Sequence, residues 1–255
     1  MEVRKFYFGV YFQLTLFLKY AASYIMKVLE VLLRMYPDES GRLLRDDGVL
    51  QIMITGCAKS YFSAGDYECD QVIIYYLTTL ARVLITDPTL LDPIFHSLNV
   101  ESCPLFGYNE LMEMYLQKFD SVSSLLWKKV WVVLFIILLP PTKSSFCDHV
   151  VTSLDQIINS CVDFLFDEQH KGRQAFLLQV STEDQDDEVT DIGKRSAQQY
   201  LKSEINNDII FALNLKNEIR TRLNSFALAV GQHDYHEIVS GCEPVIFKQL
   251  LELIQ

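Results

Sequence analysis

The stretch VIIYYLTTLARVLITDPTLLDPIF, residues 72–95, decides how the chain is expected to fold. Val72, Ile73, Tyr76, Leu77, Leu80 and Leu84 recur at three- and four-residue steps, the spacing that lays one apolar stripe along an α-helix. The helix predicted from Glu68 to Ile85 stops at Asp87-Pro88, because proline lacks an amide hydrogen and disfavours helical geometry in the residue before it. Pro88 suits the first turn of a short helix that ends near Leu98.

The same period extends outward on both sides. Upstream, Ile25, Leu29, Leu32, Leu33 and Tyr36 stripe a helix over Tyr20–Tyr36, which Pro37-Asp38-Glu39-Ser40 breaks. A second helix, Gly41 to Phe62, should turn Leu43, Leu44, Val49, Ile52, Met53 and Cys57 inward. Downstream come a helix from Tyr108 to Ser121 and a very apolar one from Leu125 to Leu139. Periodicity leaves a strand open for Val130–Leu139, but every neighbour is helical and no hairpin signal adjoins it. Ser144 or Ser145 can cap a further helix that reaches Phe166 through Leu154, Ile157, Ile158, Cys161 and Leu165. After a polar interval, Ile209, Phe211, Leu213, Leu215, Ile219, Leu223, Phe226 and Leu228 define a helix from Asn206 to Val230, with Gly231 as its C-cap. Asp234–Ser240 and Glu243–Ile254 are the last two.

Paired helices with short Pro- or Gly-marked turns predict an all-α fold, a HEAT-like α-solenoid of antiparallel helix pairs. The expected organisation is an apolar segment at 1–19, HEAT-like repeats at 20–168, an acidic flexible loop at 169–205 and C-terminal repeats at 206–255. The aromatic-rich start, Phe6 to Phe17, reads as an exposed end of the core through which the chain should self-associate.

Composition narrows the function classes. Half of the 255 residues are hydrophobic, which is too apolar for disorder. With 33 acidic residues against 22 basic, the net charge of −11 repels phosphate backbones and anionic lipid, so nucleic acid is not an expected partner and basic protein is. No membrane span is expected. The run Val130–Leu139 has ten residues, about half of what a bilayer requires. Phe6–Leu18 resembles a signal peptide or anchor only in part, since Gln13 and Thr15 interrupt it.

No local pattern supports catalysis, a cofactor or a metal. G-x-x-x-x-G-K-[ST], G-x-G-x-x-G and G-x-S-x-G are all absent. The cysteines Cys57, Cys69, Cys103, Cys147, Cys161 and Cys242 form no C-x-x-C pair and read as reduced core residues. His233 and His236 could share a helix face, but further ligands are missing nearby and a solvated turn is the simpler reading. Cys147 and His149 are two apart, so on a helix they do not face each other. Trp127 and Trp131, four apart, read as packing residues. The sharpest candidate is the acidic run at Glu183, Asp184, Asp186, Asp187, Glu188 and Asp191, which could attract a basic cargo over long range.

Three segments resemble the C-terminal region of importin-β family transport receptors. They are the opening stretch at 72–95, WKKVWVVLFIILLP at 127–140 and NDIIFALNLKNEIRTRLNSFALAVGQHDYHEIVSGCEPVIFKQLLELI at 207–254, and the resemblance spans Tyr20–Gln255. It implies an α-solenoid that carries protein cargo between cytoplasm and nucleus and is not an enzyme. It also implies the GTPase Ran as a partner through N-terminal repeats that this chain lacks, with nucleoporins as further partners. No binding residue of the family transfers individually. A helical scaffold unrelated to transport is the alternative reading.

Overall fold

The run at 72–84 becomes the hub of the N-terminal half. In the computed structural model, which describes residues 19–62, 70–98, 106–139, 150–182 and 208–255, all regular structure among the described residues is helical. These residues divide into two compact units, one up to Lys118 and one from Phe119 onward.

The first unit comprises α1 (Lys19–Met35), α2 (Pro37–Asp46), α3 (Val49–Phe62), α4 (Asp70–Thr86), α5 (Asp92–Ser97) and α6 (Tyr108–Lys118). Helix α4 packs against α1, α2 and α3, and every residue from Val72 to Leu84 is buried. The six expected core positions are among them, but a helix surrounded by neighbours has no wet face at all. Its polar members therefore need partners inside. Glu30 of α1 accepts from Arg34 at 2.7 Å and from Arg82 of α4 at 3.4 Å. Tyr115 of α6 is fully buried and its hydroxyl donates to the Leu77 carbonyl at 2.7 Å. Burial, and then the nearby Cys57 thiol, raises its proton affinity well above the ordinary tyrosine value.

Two expectations are corrected here. The predicted helix from Gly41 to Phe62 is two helices, because Gly48 adopts φ +76° between them, a left-handed conformation that glycine takes without steric cost. Pro37 does not end the helical region but opens α2, where its missing amide hydrogen would have been unpaired anyway, with Asp38 and Glu39 favourably placed in the first turn. Gly41 lets α2 lie close to the 3-10 turn Pro88–Leu91, since a Cβ there would stand 3.1 Å from Leu90 Cδ1. The inward faces also differ: Leu44, Val49, Met53 and Cys57 are buried as expected, whereas Leu32, Tyr36, Ile52 and Leu43 (61 % exposed) face outward.

The second unit is built around α7 (Leu125–Ile137), capped by the Ser124 side chain accepting from the Trp127 amide. It packs against α8 (Leu154–Thr182), the short α9 (Ile209–Ala212) and α10 (Leu215–Val230). Helix α8 in turn contacts α11 (Gln232–Ser240) and α12 (Pro244–Leu253). The Glu243 amide donates to Asp155 Oδ1 at 2.8 Å and ties the start of α12 to α8.

Here too the structure revises the expected boundaries. Helix α8 continues through Thr182, so residues 169–182 are helical rather than loop; Glu168, Gln169, Lys171, Arg173, Gln174, Ala175, Leu177 and Leu178 are strong helix formers, and extending an anchored helix costs little. The predicted helix Asn206–Val230 is split at Leu213, with Asp208 accepting from Ile210 N and Asn214 from Asn217 N as separate caps. Gly231 is the C-cap of α10 with φ +87°, as expected. Ile209 and Leu228 (81 % exposed), on the expected apolar stripe, lie on the surface. Residues 1–18, Ser144 and Ser145 lie outside the described residues.

Candidate functional site

The six carboxylates at Glu183, Asp184, Asp186, Asp187, Glu188 and Asp191 lie outside the described residues, as do Cys147 and His149. What the structure places are the elements on either side. Helix α8 carries the backbone to Thr182, and the next described residue is Asp208, which is buried and caps α9.

The C-terminal end of α9 is held by an unexpected residue. Lys129 belongs to an apolar helix and is only 4 % exposed. A buried ammonium needs acceptors for its three hydrogens, or the desolvation cost forces it neutral or outward. Its Nζ donates to the Phe211 carbonyl at 2.8 Å and the Leu213 carbonyl at 2.9 Å, and lies 5.5 Å from the Phe211 ring centroid. These carbonyls are at the C-terminal end of α9, where the helix dipole favours a cation. Its neighbour Lys128 is only partly buried and lies over the Phe119 ring at 5.2 Å.

The first unit carries an aromatic cluster rimmed by carboxylates. Tyr61 and Phe62 end α3, Phe95 lies on α5, Phe106 precedes α6 and Tyr108 begins it. Phe106 is the hub: its centroid is 6.0 Å from Tyr61, 6.3 Å from Phe62 and 6.3 Å from Phe95, and Phe95 is 4.6 Å from Tyr108. The Tyr61 hydroxyl donates to Glu113 Oε2 and the Tyr108 hydroxyl to Asp92 Oδ1. Glu110 accepts from the Gly107 amide at 2.8 Å. Hydrogen bonding to Glu113, then burial, then the charges of Glu113 and Glu110 push the Tyr61 hydroxyl up to about 12. The rings come from distant segments that no spacing in the sequence connects.

The remaining candidates resolve into ordinary positions. His233 and His236 stand exposed on α11, with His233 Nδ1 3.3 Å from Asp234 Oδ1. Among the described residues no three His, Cys, Asp or Glu side chains converge as a metal site. Cys57, Cys161 and Cys242 are buried and joined in no disulfide. Burial pushes Cys161 up to about 12, the opposite of what a nucleophile requires. Trp127 and Trp131 are buried in packing. No helix among the described residues is long and apolar enough to cross a membrane.

Comparison with known proteins gives this scaffold its relatives. A family model described as importin-11-like, TPR repeats, matches residues 17–255. The description names TPR repeats where the sequence suggested HEAT-like ones; both are antiparallel helix pairs stacked into an α-solenoid. No curated protein and no solved structure matches the chain. The match covers nearly the whole sequence and agrees with the all-helical architecture, and the chain belongs to the importin-11-like family of nuclear transport receptors.

Proposed function

We propose that this chain is the cargo-binding C-terminal part of a nuclear import receptor, holding protein cargo non-covalently while N-terminal repeats outside it mediate release by Ran-GTP. The observation that carries the reading is the family match over residues 17–255. The net charge of −11 supports a basic cargo, because an acidic surface raises the encounter rate of basic proteins and lowers that of nucleic acid. In this reading Glu183, Asp184, Asp186, Asp187, Glu188 and Asp191 act as a long-range attractor. Shuttling between cytoplasm and nucleus, with nucleoporin contacts during passage, follows from the same role.

Replacing the six carboxylates by their amides tests the attractor. Association of the chain with a basic protein should slow by about tenfold at low salt, and the difference should shrink towards physiological salt as screening sets in. An unchanged association rate at low salt would remove this segment from the reading.

A further inference from the structure

Phe62 is 43 % exposed although its ring sits against those of Tyr61 and Phe106. Single exposed apolar residues are ordinary, but here an exposed ring is continuous with a fixed aromatic platform. Tyr61 meets Phe62 edge-on at 5.0 Å and Phe106 at 6.0 Å, so its ring is locked from two sides while its hydroxyl is tied to Glu113. Asp92 is likewise fixed by Tyr108, and Glu110 by the Gly107 amide. The carboxylates around the platform therefore have set positions and need little reordering to receive a cation.

The charge around the platform has one dominant sign. Asp92, Glu110 and Glu113 border it. Lys118, the basic residue of α6, is engaged by Asp70 at 2.6 Å. Lys59, one turn before Phe62, is a cation on a neighbouring turn. The elevated proton affinity of Tyr61 reports the same negative environment.

An aromatic face bordered by carboxylates matches one side chain better than any other. Guanidinium is planar, weakly hydrated and always charged, so it can stack on a ring and donate sideways to carboxylates at the same time. Ammonium is compact and strongly hydrated and loses more on leaving water.

We propose that the platform of Tyr61, Phe62 and Phe95 with Glu110 and Glu113 receives an arginine side chain from a basic segment of a partner protein. The proposal rests on the cargo reading above and adds a contact point in the first unit, separate from the acidic run at 183–191.

The test uses the full chain, three peptides and three variants. The peptides are an arginine-rich one, a lysine-rich one of equal charge and a neutral control, with affinities measured by calorimetry at physiological salt. Phe62→Ala should weaken the arginine peptide about fivefold and the lysine peptide by less than twofold. Glu113→Gln keeps an acceptor for the Tyr61 hydroxyl but removes the charge, and should also weaken the arginine peptide several-fold. Neutralising 183–191 should weaken both basic peptides alike. Equal losses for arginine and lysine peptides in Phe62→Ala, or none in either point variant, would overturn the proposal. So would a chain that binds no basic peptide, and both results leave Ran-GTP-dependent cargo release by the receptor standing or falling on its own test.

Discussion

The two units each enclose a helix with no wet face, yet they handle buried charge differently. In the first, Arg82 of α4 shares Glu30 with Arg34, so charge meets opposite charge between side chains. In the second, Lys129 of α7 meets backbone carbonyls at the end of α9. A carboxylate partner can be removed by mutation, and its loss takes one acceptor from the buried Arg82 guanidinium. Backbone carbonyls cannot be mutated away, so those two hydrogen bonds are changed from the lysine side. Their duties differ: Glu30 holds α1 against α4, whereas Lys129 ties the C-terminal end of α9 to α7.

Changing the acid should have the largest effect. Glu30→Ala should destabilise the first unit by about 3–5 kcal/mol, because removing one partner of a buried ionic set strands the others. Chemical denaturation of the chain reads this directly, and a loss below about 1 kcal/mol would show that the arginines have adequate partners elsewhere. Lys129→Ala should cost about 2–4 kcal/mol from two carbonyls losing a charged donor and from the cavity left behind. Hydrogen exchange should quicken most in α9 and the first turn of α10. Uniform quickening through both units would contradict a local anchor.

Alkaline conditions should separate the units less sharply. The Cys161 thiol ionises near 9.0 when unfolded and near 12 when buried. Above pH 9 the unfolded chain therefore releases a proton that the folded one keeps, and stability falls by up to about 1.4 kcal/mol per pH unit until about pH 12. Cys161→Ala should flatten that slope in pH-dependent unfolding, beyond any change in its starting level. The smallest effect belongs to the surface. Leu228→Ser, on an exposed position of α10, should shift stability by no more than about 0.5 kcal/mol, while Phe226→Ala two residues earlier should cost about 3–5 kcal/mol. Equal costs would mean that α10 is rotated from the orientation described.

Much of this contrast was hidden in the sequence for identifiable reasons. The apolar runs of α4 and α7 were legible because length, composition and flanking breakers agree. The family, too, was legible in three segments whose order and spacing carry it. Faces were less so: adjacent helical residues point about 100° apart, and in an apolar helix such as α3 either of two stripes could turn inward, so Ile52 was misplaced. Gly48 and the caps Asp208 and Asn214 were visible signals that the strong apolar period outweighed. Lys129 was unreadable, because its acceptors come from a helix over eighty residues away and a lysine beside a lysine looks like a solvated end. The aromatic platform failed for the same reason, with rings from α3, α5 and the approach to α6 meeting only in the folded unit.

The most direct test of the account is cargo release. A receptor containing this chain, loaded with a basic cargo on a solid support, is treated with saturating Ran-GTP and the retained cargo is measured against a Ran-GDP control. The account predicts loss of most of the cargo with Ran-GTP and retention with Ran-GDP. Equal retention in both would contradict an import receptor and leave a helical protein that binds partners without regard to Ran.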